Sequence, residues 1–237
     1  MNTVLHKANT RGHTDHGWLE SWHTFSFAGY YDPSRMHFGV LRVLNDDSVA
    51  PGMGFGKHPH DNMEIVSIPL QGDLEHSDSM GNIAVVRQGA VQVMSAGTGI
   101  VHSEKNANHD AFVKFLQIWV FPNKQNVQPR YDQKSFSIEE KQNRLVTIVS
   151  PIGTQDSGVQ IHQDAWFSLG KLNTGTTHIY NVKKEGNGVY AFLLEGDVNI
   201  NEIVLNKRDG LGISEENKLT ITANSDAEIL LMEVPME

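Results

Sequence analysis

Two short dyads carry residue types able to do chemistry, His58-Pro59-His60 and His102-Ser103-Glu104. On an extended strand successive side chains point to opposite faces, so partners at i and i+2 project together. Each dyad can therefore aim both of its functional side chains into one interior. Two such dyads on neighbouring strands would bring three imidazoles and one carboxylate to a point, a donor set that suits iron, nickel, copper, manganese or zinc. The dyads alone are weak signals. With 12 histidines and 14 glutamates in 237 residues, roughly 0.6 His-x-His and roughly 0.7 His-x-Glu pairs arise by chance. Their frames carry the weight: Gly52-x5-His58-x-His60-x3-Glu64-x7-Gly72, then Gly89-x9-Gly99-x2-His102-x3-Asn106. At this level Glu64 competes with Glu104 as the carboxylate donor.

Such a site needs strands to hold it. Short apolar runs bounded by Gly, Asn, Asp or Pro recur from Phe38 onward, and few segments show a sustained helical period. The pattern is all-β. Predicted strands include Phe38–Leu44, Met63–Leu70, Ile83–Arg87, Phe112–Phe121, Leu145–Val149, Tyr190–Leu194, Leu219–Thr222 and Ile229–Val234. An internal echo adds organisation. Leu70-Gln71-Gly72-Asp73-Leu74-Glu75 is matched by Leu194-Glu195-Gly196-Asp197-Val198-Asn199, which points to two copies of one β unit. The polar stretch 123–142 is the natural joint, so the expected division is 1–134, the metal-binding half, and 135–237.

The halves are not expected to be chemically equivalent. Ten of the histidines lie in the first 110 residues, and only His162 and His178 lie beyond. Carried over from Gly72 to Gly196, the offsets of His58 and His60 fall on Val182 and Lys184. From Gly89 to Gly210, those of His102 and Glu104 fall on Ala223 and Ser225. No ligand set results, so the second copy is expected to bind no metal.

Composition narrows the classes further. The chain has no cysteine, which excludes disulfide scaffolds, cysteine nucleophiles and thiolate metal sites. Its 19 basic against 28 acidic side chains give a net charge of −9, and no basic block offers a footprint for a nucleic-acid backbone. The N-terminus runs into polar residues without the apolar stretch of a secretory signal, and no apolar run approaches the roughly 18 residues of a membrane span. The expectation is a cytoplasmic protein without a membrane or direct nucleic-acid partner.

The spaced frames resemble the two cupin motifs, with two departures: the spacer from Glu64 to Gly72 is one residue longer than usual, and Ser95 stands where proline is usual. The resemblance is closer still to the pirin family of bicupins, in particular its bacterial quercetin 2,3-dioxygenase-like members. It rests on His16-Gly17-Trp18-Leu19-Glu20-Ser21-Trp22-His23-Thr24-Phe25-Ser26-Phe27, on Tyr30-Tyr31-Asp32-Pro33, and on Leu41-Arg42-Val43-Leu44-Asn45-Asp46-Asp47. It continues through Gly54-Phe55-Gly56-Lys57-His58-Pro59-His60, His76-Ser77-Asp78-Ser79-Met80-Gly81-Asn82 and Ser95-Ala96-Gly97-Thr98-Gly99-Ile100-Val101-His102-Ser103-Glu104. Together these blocks span the chain in one order.

The resemblance implies two jelly-roll-like β-barrels packed together with few short helices, and one divalent metal held by His58, His60, His102 and Glu104. Iron is the first expectation, ahead of nickel, copper, manganese and zinc. Glu64 is then not a ligand. On an uninterrupted strand it shares parity with His58 and His60, which gives it a role orienting an imidazole. The implied activity is dioxygenation of a flavonol such as quercetin, with release of carbon monoxide and with Glu104 as the base. A flavonoid-like aromatic and dioxygen are then the partners. The rival is a metal-bound regulatory protein acting through a protein partner, as animal pirins are described.

Other residues are expected to be structural. His6, His13, His16 and His23 read as surface or hydrogen-bonded histidines, and His76 and His109 as structural. Trp18, Trp22, Phe25 and Phe27 read as packing, although they could line a flavonoid pocket, and Trp119 and Phe121 as core strand. Phe55 is the aromatic placed nearest the metal.

Overall fold

The computed structural model describes residues 1–237. Each half is a large sheet facing a small one. In the first half the large sheet runs in the order Arg130–Ser135, Ala90–Ser95, Glu64–Gln71, Val113–Val120, Leu41–Val49, Leu19–His23, Gly12–Asp15. The small sheet runs Gly54–His60, Ile100–Asn106, Leu74–Asp78, Ile83–Val86. The second half repeats the plan. Its large sheet is Asn2–His6, Gly210–Ser214, Asn187–Glu195, Ala227–Pro235, Trp166–Leu172, Val146–Pro151, Val159–Ile161, and its small sheet is Thr177–Asn181, Lys218–Ala223, Asp197–Ile200, Ile203–Asn206. Helix is confined to one 3-10 turn, Ala8–Thr10, and the single turn Ile138–Lys141, which Ser137 and Glu140 close with reciprocal capping bonds.

The two large sheets pack against each other, and this explains why their central strands read as continuous apolar runs. Val66, Ile68, Leu116 and Ile118 from the first half meet Ile148, Phe167, Tyr190, Phe192, Leu230 and Met232 from the second in one shared core of 25 buried residues. Burial of such a side chain contributes roughly 1.5–3 kcal/mol, so this seam is a main source of stability. The alternate residues face inward. Leu193, Ala191, Val189 and Ile221 fill the second barrel with apolar matter. The corresponding positions of the first barrel include Ser67 and Gln117, which are polar and buried.

The repeated turn is real in three dimensions. Gly72 (φ +72°) and Gly196 (φ +86°) both link a long strand of the large sheet to the small sheet, and a Cβ on Gly196 would strike the Asp226 carbonyl. The halves also exchange chain. The expected unit 1–134 gives its first strand, Asn2–His6, to the other half, where it pairs with Gly210–Ser214. This covers an edge that would otherwise be open. Near the expected joint, Arg130–Ser135 pairs along its whole length with Ala90–Ser95.

Strand Leu41–Val49 differs from the expected Phe38–Leu44 by running on through Asn45-Asp46-Asp47-Ser48. The expected strand stopped before these polar residues. The strand persists because its polar side chains are satisfied on both faces: Asn45 by His23 and Asp47 by Ser21 inside, Asp46 by Arg11 and Arg208 outside.

Candidate metal centre

The small sheet of the first half carries both dyads side by side. Gly54–His60 and Ile100–Asn106 pair antiparallel, with His102 opposite His58 and Ile100 opposite His60. A bulge then shifts the register so that Glu104 lies opposite Phe55, with Gly56 and Lys57 on one strand facing Ser103 alone on the other. Bulges re-aim side chains in this way. The rings of His58 and His102 stand 4.4 Å apart, those of His58 and His60 4.8 Å, and those of His60 and His102 5.0 Å. One nitrogen from each lies within 4.8 Å of the others.

The protonation states suit ligation. His58 Nδ1 donates to the Gly56 carbonyl at 2.7 Å, which leaves Nε2 as the nitrogen available to a metal. Burial, with the charge of His58 next to it, lowers the pKa of His60 to about 4 and that of His102 to about 3, so both rings are neutral at pH 7. Both ring nitrogens of His102 are buried without a hydrogen-bond partner. Buried polar atoms are rarely left this way. A cation held by one nitrogen of each of the three imidazoles would partner one of these two atoms, and the donor set fits a borderline divalent metal.

Glu104 is grouped with His102 but not with His58 and His60. Ser67 Oγ donates to its Oε1 at 2.9 Å and Gln117 Nε2 to its Oε2 at 2.5 Å. Burial pushes its pKa up against these bonds. Its nearest donor neighbours are His102 and His76, with which it forms a second group inside 4.8 Å. The sequence reading placed His76 among structural residues, whereas the fold puts it directly opposite Glu104 on strand Leu74–Asp78. Its Nε2 lies 3.0 Å from Asp78 Oδ2, its Nδ1 is buried and unpartnered, and Tyr131 stacks on the ring at 4.6 Å. Burial raises the Asp78 pKa, but bonds from His76, Asn82 and Met80 outweigh it and hold the carboxyl below its usual range.

Ser67, Gln117 and Trp119 are further neighbours that the sequence did not single out for the site. Trp119, expected as core, sets its ring 4.8 Å from His60 in an edge-on contact. The detectable signal for Ser67 and Gln117 was a polar residue inside an otherwise apolar strand. A cavity of about 300 Å³ opens beside His60, lined by Pro59, Asp61, Ser79 and the segment 98–101.

Glu64 requires a correction. It does not face the histidines, although it shares their parity. The run is interrupted at Asn62, whose φ of +43° marks a turn, and the strand that resumes at Glu64 lies in the other sheet. Glu64 shares parity with Val66 and Ile68 of the shared core, accepts from Ser95 Oγ at 2.7 Å, and has its pKa raised to about 7 by burial. It therefore orients no imidazole.

The remaining expectations sort by position. Phe55 packs edge-on against Trp18 at 5.6 Å, Phe25 enters the shared core, and Phe27 meets Trp119. His6 is buried 2.8 Å from the Tyr190 hydroxyl, His13 stacks on Trp22, and His23 is buried beside Asn45. In the second half the counterpart of the paired dyad strands is Thr177–Asn181 with Lys218–Ala223, a few residues before the offsets that fell on Val182 and Lys184. It offers His178 as its one imidazole, opposite Ile221.

Two jelly-roll barrels in one chain, one polar inside with a histidine cluster and the other filled with apolar side chains, define a bicupin. Residues 4–120 match the Pirin family and residues 147–234 the quercetinase C-terminal cupin domain. The chain is 44% identical over 232 residues to quercetin 2,3-dioxygenase of Escherichia coli strain K12, covering 98% of each. It is 40% identical over 222 residues to a pirin-like protein of Caulobacter vibrioides, covering 94% of this chain and 95% of that one. The crystal structure of the E. coli bacterial pirin YhhW in complex with nickel(II) superposes with a TM-score of 0.93 at 41% identity, covering 99% of both. The chain therefore belongs to the pirin family. No helix is long and apolar enough to cross a membrane.

Proposed function

We propose that the protein is a metal-dependent dioxygenase that opens the ring of a flavonol such as quercetin, taking up one dioxygen and releasing one carbon monoxide. The observation that carries this reading is the convergence of His58, His60 and His102, with one ligand nitrogen of each within 4.8 Å of the others, in a chain 44% identical to a quercetin 2,3-dioxygenase. His58, His60, His102 and Glu104 would hold the ion. A bound divalent cation supplies positive charge that favours deprotonation of the flavonol 3-hydroxyl.

Glu104 is the group that takes this proton. Burial raises its pKa, which suits a carboxylate that must accept and hold a proton near neutral pH. Ser67 and Gln117 anchor its two oxygens and so fix the direction from which it approaches the substrate. Trp119 and Pro59 present apolar surface beside His60, where an aromatic substrate would lie out of water.

The test is turnover. Purified protein loaded separately with iron, nickel, copper, manganese or zinc should consume quercetin and oxygen with at least one of them. If none exceeds a His58→Ala His60→Ala control, the dioxygenase reading fails, and a metal-dependent protein partner becomes the reading to pursue.

A further inference from the structure

A second cavity, of about 780 Å³, is not at the histidines. It lies on the opposite face of the first half's large sheet, in the cleft between the halves. Its floor is apolar, with Ile68 and Leu70 from one half and Leu169 and Leu194 from the other. Lys141, at the end of the helical turn after the joint, lines the same cleft. The residue is only 4% exposed and no side chain or carbonyl hydrogen-bonds its ammonium, which opens into the cleft with Glu228 and Glu140 as acidic neighbours. A largely buried cation held without a contact ion pair gains from an anion brought to it.

The neighbouring charges do not meet that need. Glu140 is engaged by the Ser137 backbone N–H as a cap, Glu228 faces Lys171 at 3.9 Å, and Glu195 faces Lys207 at 2.8 Å. At the other end Arg11 and Arg208 share the single carboxylate of Asp46, at 3.3 and 3.4 Å. Arg208 also holds a left-handed φ of +68° and keeps Nη1 buried without a partner. Non-glycine residues in that conformation cost on the order of 1–3 kcal/mol and tend to mark functional positions. The lining thus carries six basic against five acidic side chains over an apolar floor.

We propose that the cleft between the halves binds an amphipathic organic anion, an aryl carboxylate, whose carboxylate pairs with Lys141 while its ring lies on the apolar floor. The volume lies within the range of small-molecule sites. Lys114 of the lining is also without an ion pair but is exposed, so Lys141 offers the one largely buried unpaired ammonium, which matches a monoanion. Burial holds the Lys141 pKa below the ordinary lysine value, and an incoming carboxylate would restore the charged form. The site is separate from the metal centre and does not depend on the flavonol reading.

The experiment titrates 2-naphthoate, its neutral analogue 2-naphthamide and inorganic phosphate into the full chain by calorimetry, and follows acylation of Lys141 by peptide mass spectrometry. Expected results are saturable one-site binding of the naphthoate, at least about tenfold weaker binding of the amide, and protection of Lys141 by the acid. Lys141→Met should weaken the acid at least about tenfold and leave the amide unchanged. A His58→Ala His60→Ala variant should bind the acid as the parent does. The proposal is overturned if the acid does not saturate, if acid and amide bind alike, if phosphate binds as tightly as the naphthoate, or if binding disappears with the two histidines. Should Lys141→Met not fold, the acid-to-amide ratio and the protection of Lys141 in the parent chain still decide.

Discussion

Replacing Gln117 by leucine should weaken metal binding without dismantling the barrel. Gln117 is 8% exposed, and its Nε2 donates to Glu104 Oε2 at 2.5 Å while Ser67 holds Oε1. Leucine is similar in size, so the packing change is small, but the carboxylate loses one of its two donors. A hydrogen bond to a charged group is worth about 1.5–3 kcal/mol. That penalty falls on the ionised form of Glu104, the form able to hold a cation, so affinity should drop by about 10- to 100-fold, the range typical of groups that orient ligands. Gln92 supplies the control. It lies opposite Ser67 in the same polar row, is fully buried, and has an amide nitrogen with no partner. Gln92→Leu should therefore leave affinity within about twofold. Competition with a chromophoric chelator for nickel or iron, alongside urea unfolding of the metal-free proteins, measures both effects. If Gln117→Leu folds and binds within twofold of the parent, Glu104 is not held for the metal by this bond and its assignment as a ligand loses its support.

Three further outcomes are expected. Glu64→Gln should leave metal affinity within about twofold, because Glu64 faces the seam between the halves; a tenfold loss in the same chelator assay would contradict its placement. Burial raises the Asp47 pKa to about 7, so between roughly pH 4 and 7 the folded state keeps a proton there that the unfolded state releases, and this group's contribution to stability falls as pH rises, opposite in sign to those of His6, His60 and His102. Asp47→Asn should remove up to about 1.4 kcal/mol per pH unit of that slope in urea titrations of metal-free protein, leaving the part due to Glu64; an unchanged slope would refute the assignment. Deleting residues 2–6 removes the strand on Gly210–Ser214 and the His6 contact with Tyr190. A loss on the order of 3 kcal/mol and increased self-association from the bared edge are expected in unfolding and light-scattering measurements.

Much of the fold was legible because the long central strands are buried on both faces. Glu64–Gln71 and Val113–Val120 read as apolar runs for that reason, and the Gly72 and Gly196 turns announced the repeat through the left-handed backbone that glycine permits. What polarity concealed was strand 41–49, whose Asp46 and Asp47 need partners from distant segments to remain extended. Parity failed at Glu64 because one left-handed residue, Asn62, ends the alternation that i, i+2 reasoning assumes.

For the candidate centre, alternation along an extended strand is local, so the residue pattern was enough to pair His58 with His60 and His102 with Glu104. Which strands become neighbours is not local. Pairing 54–60 with 100–106, and 100–106 with 74–78, set the three imidazoles together, brought His76 against Glu104, and laid Ser67 and Gln117 beneath the carboxylate. The cleft with Lys141 likewise exists only because two large sheets, distant in sequence, close over an unpaired charge. The order of residues specified the chemistry on offer, and long-range pairing, which no short window of sequence encodes, decided which groups meet and which are left without a partner.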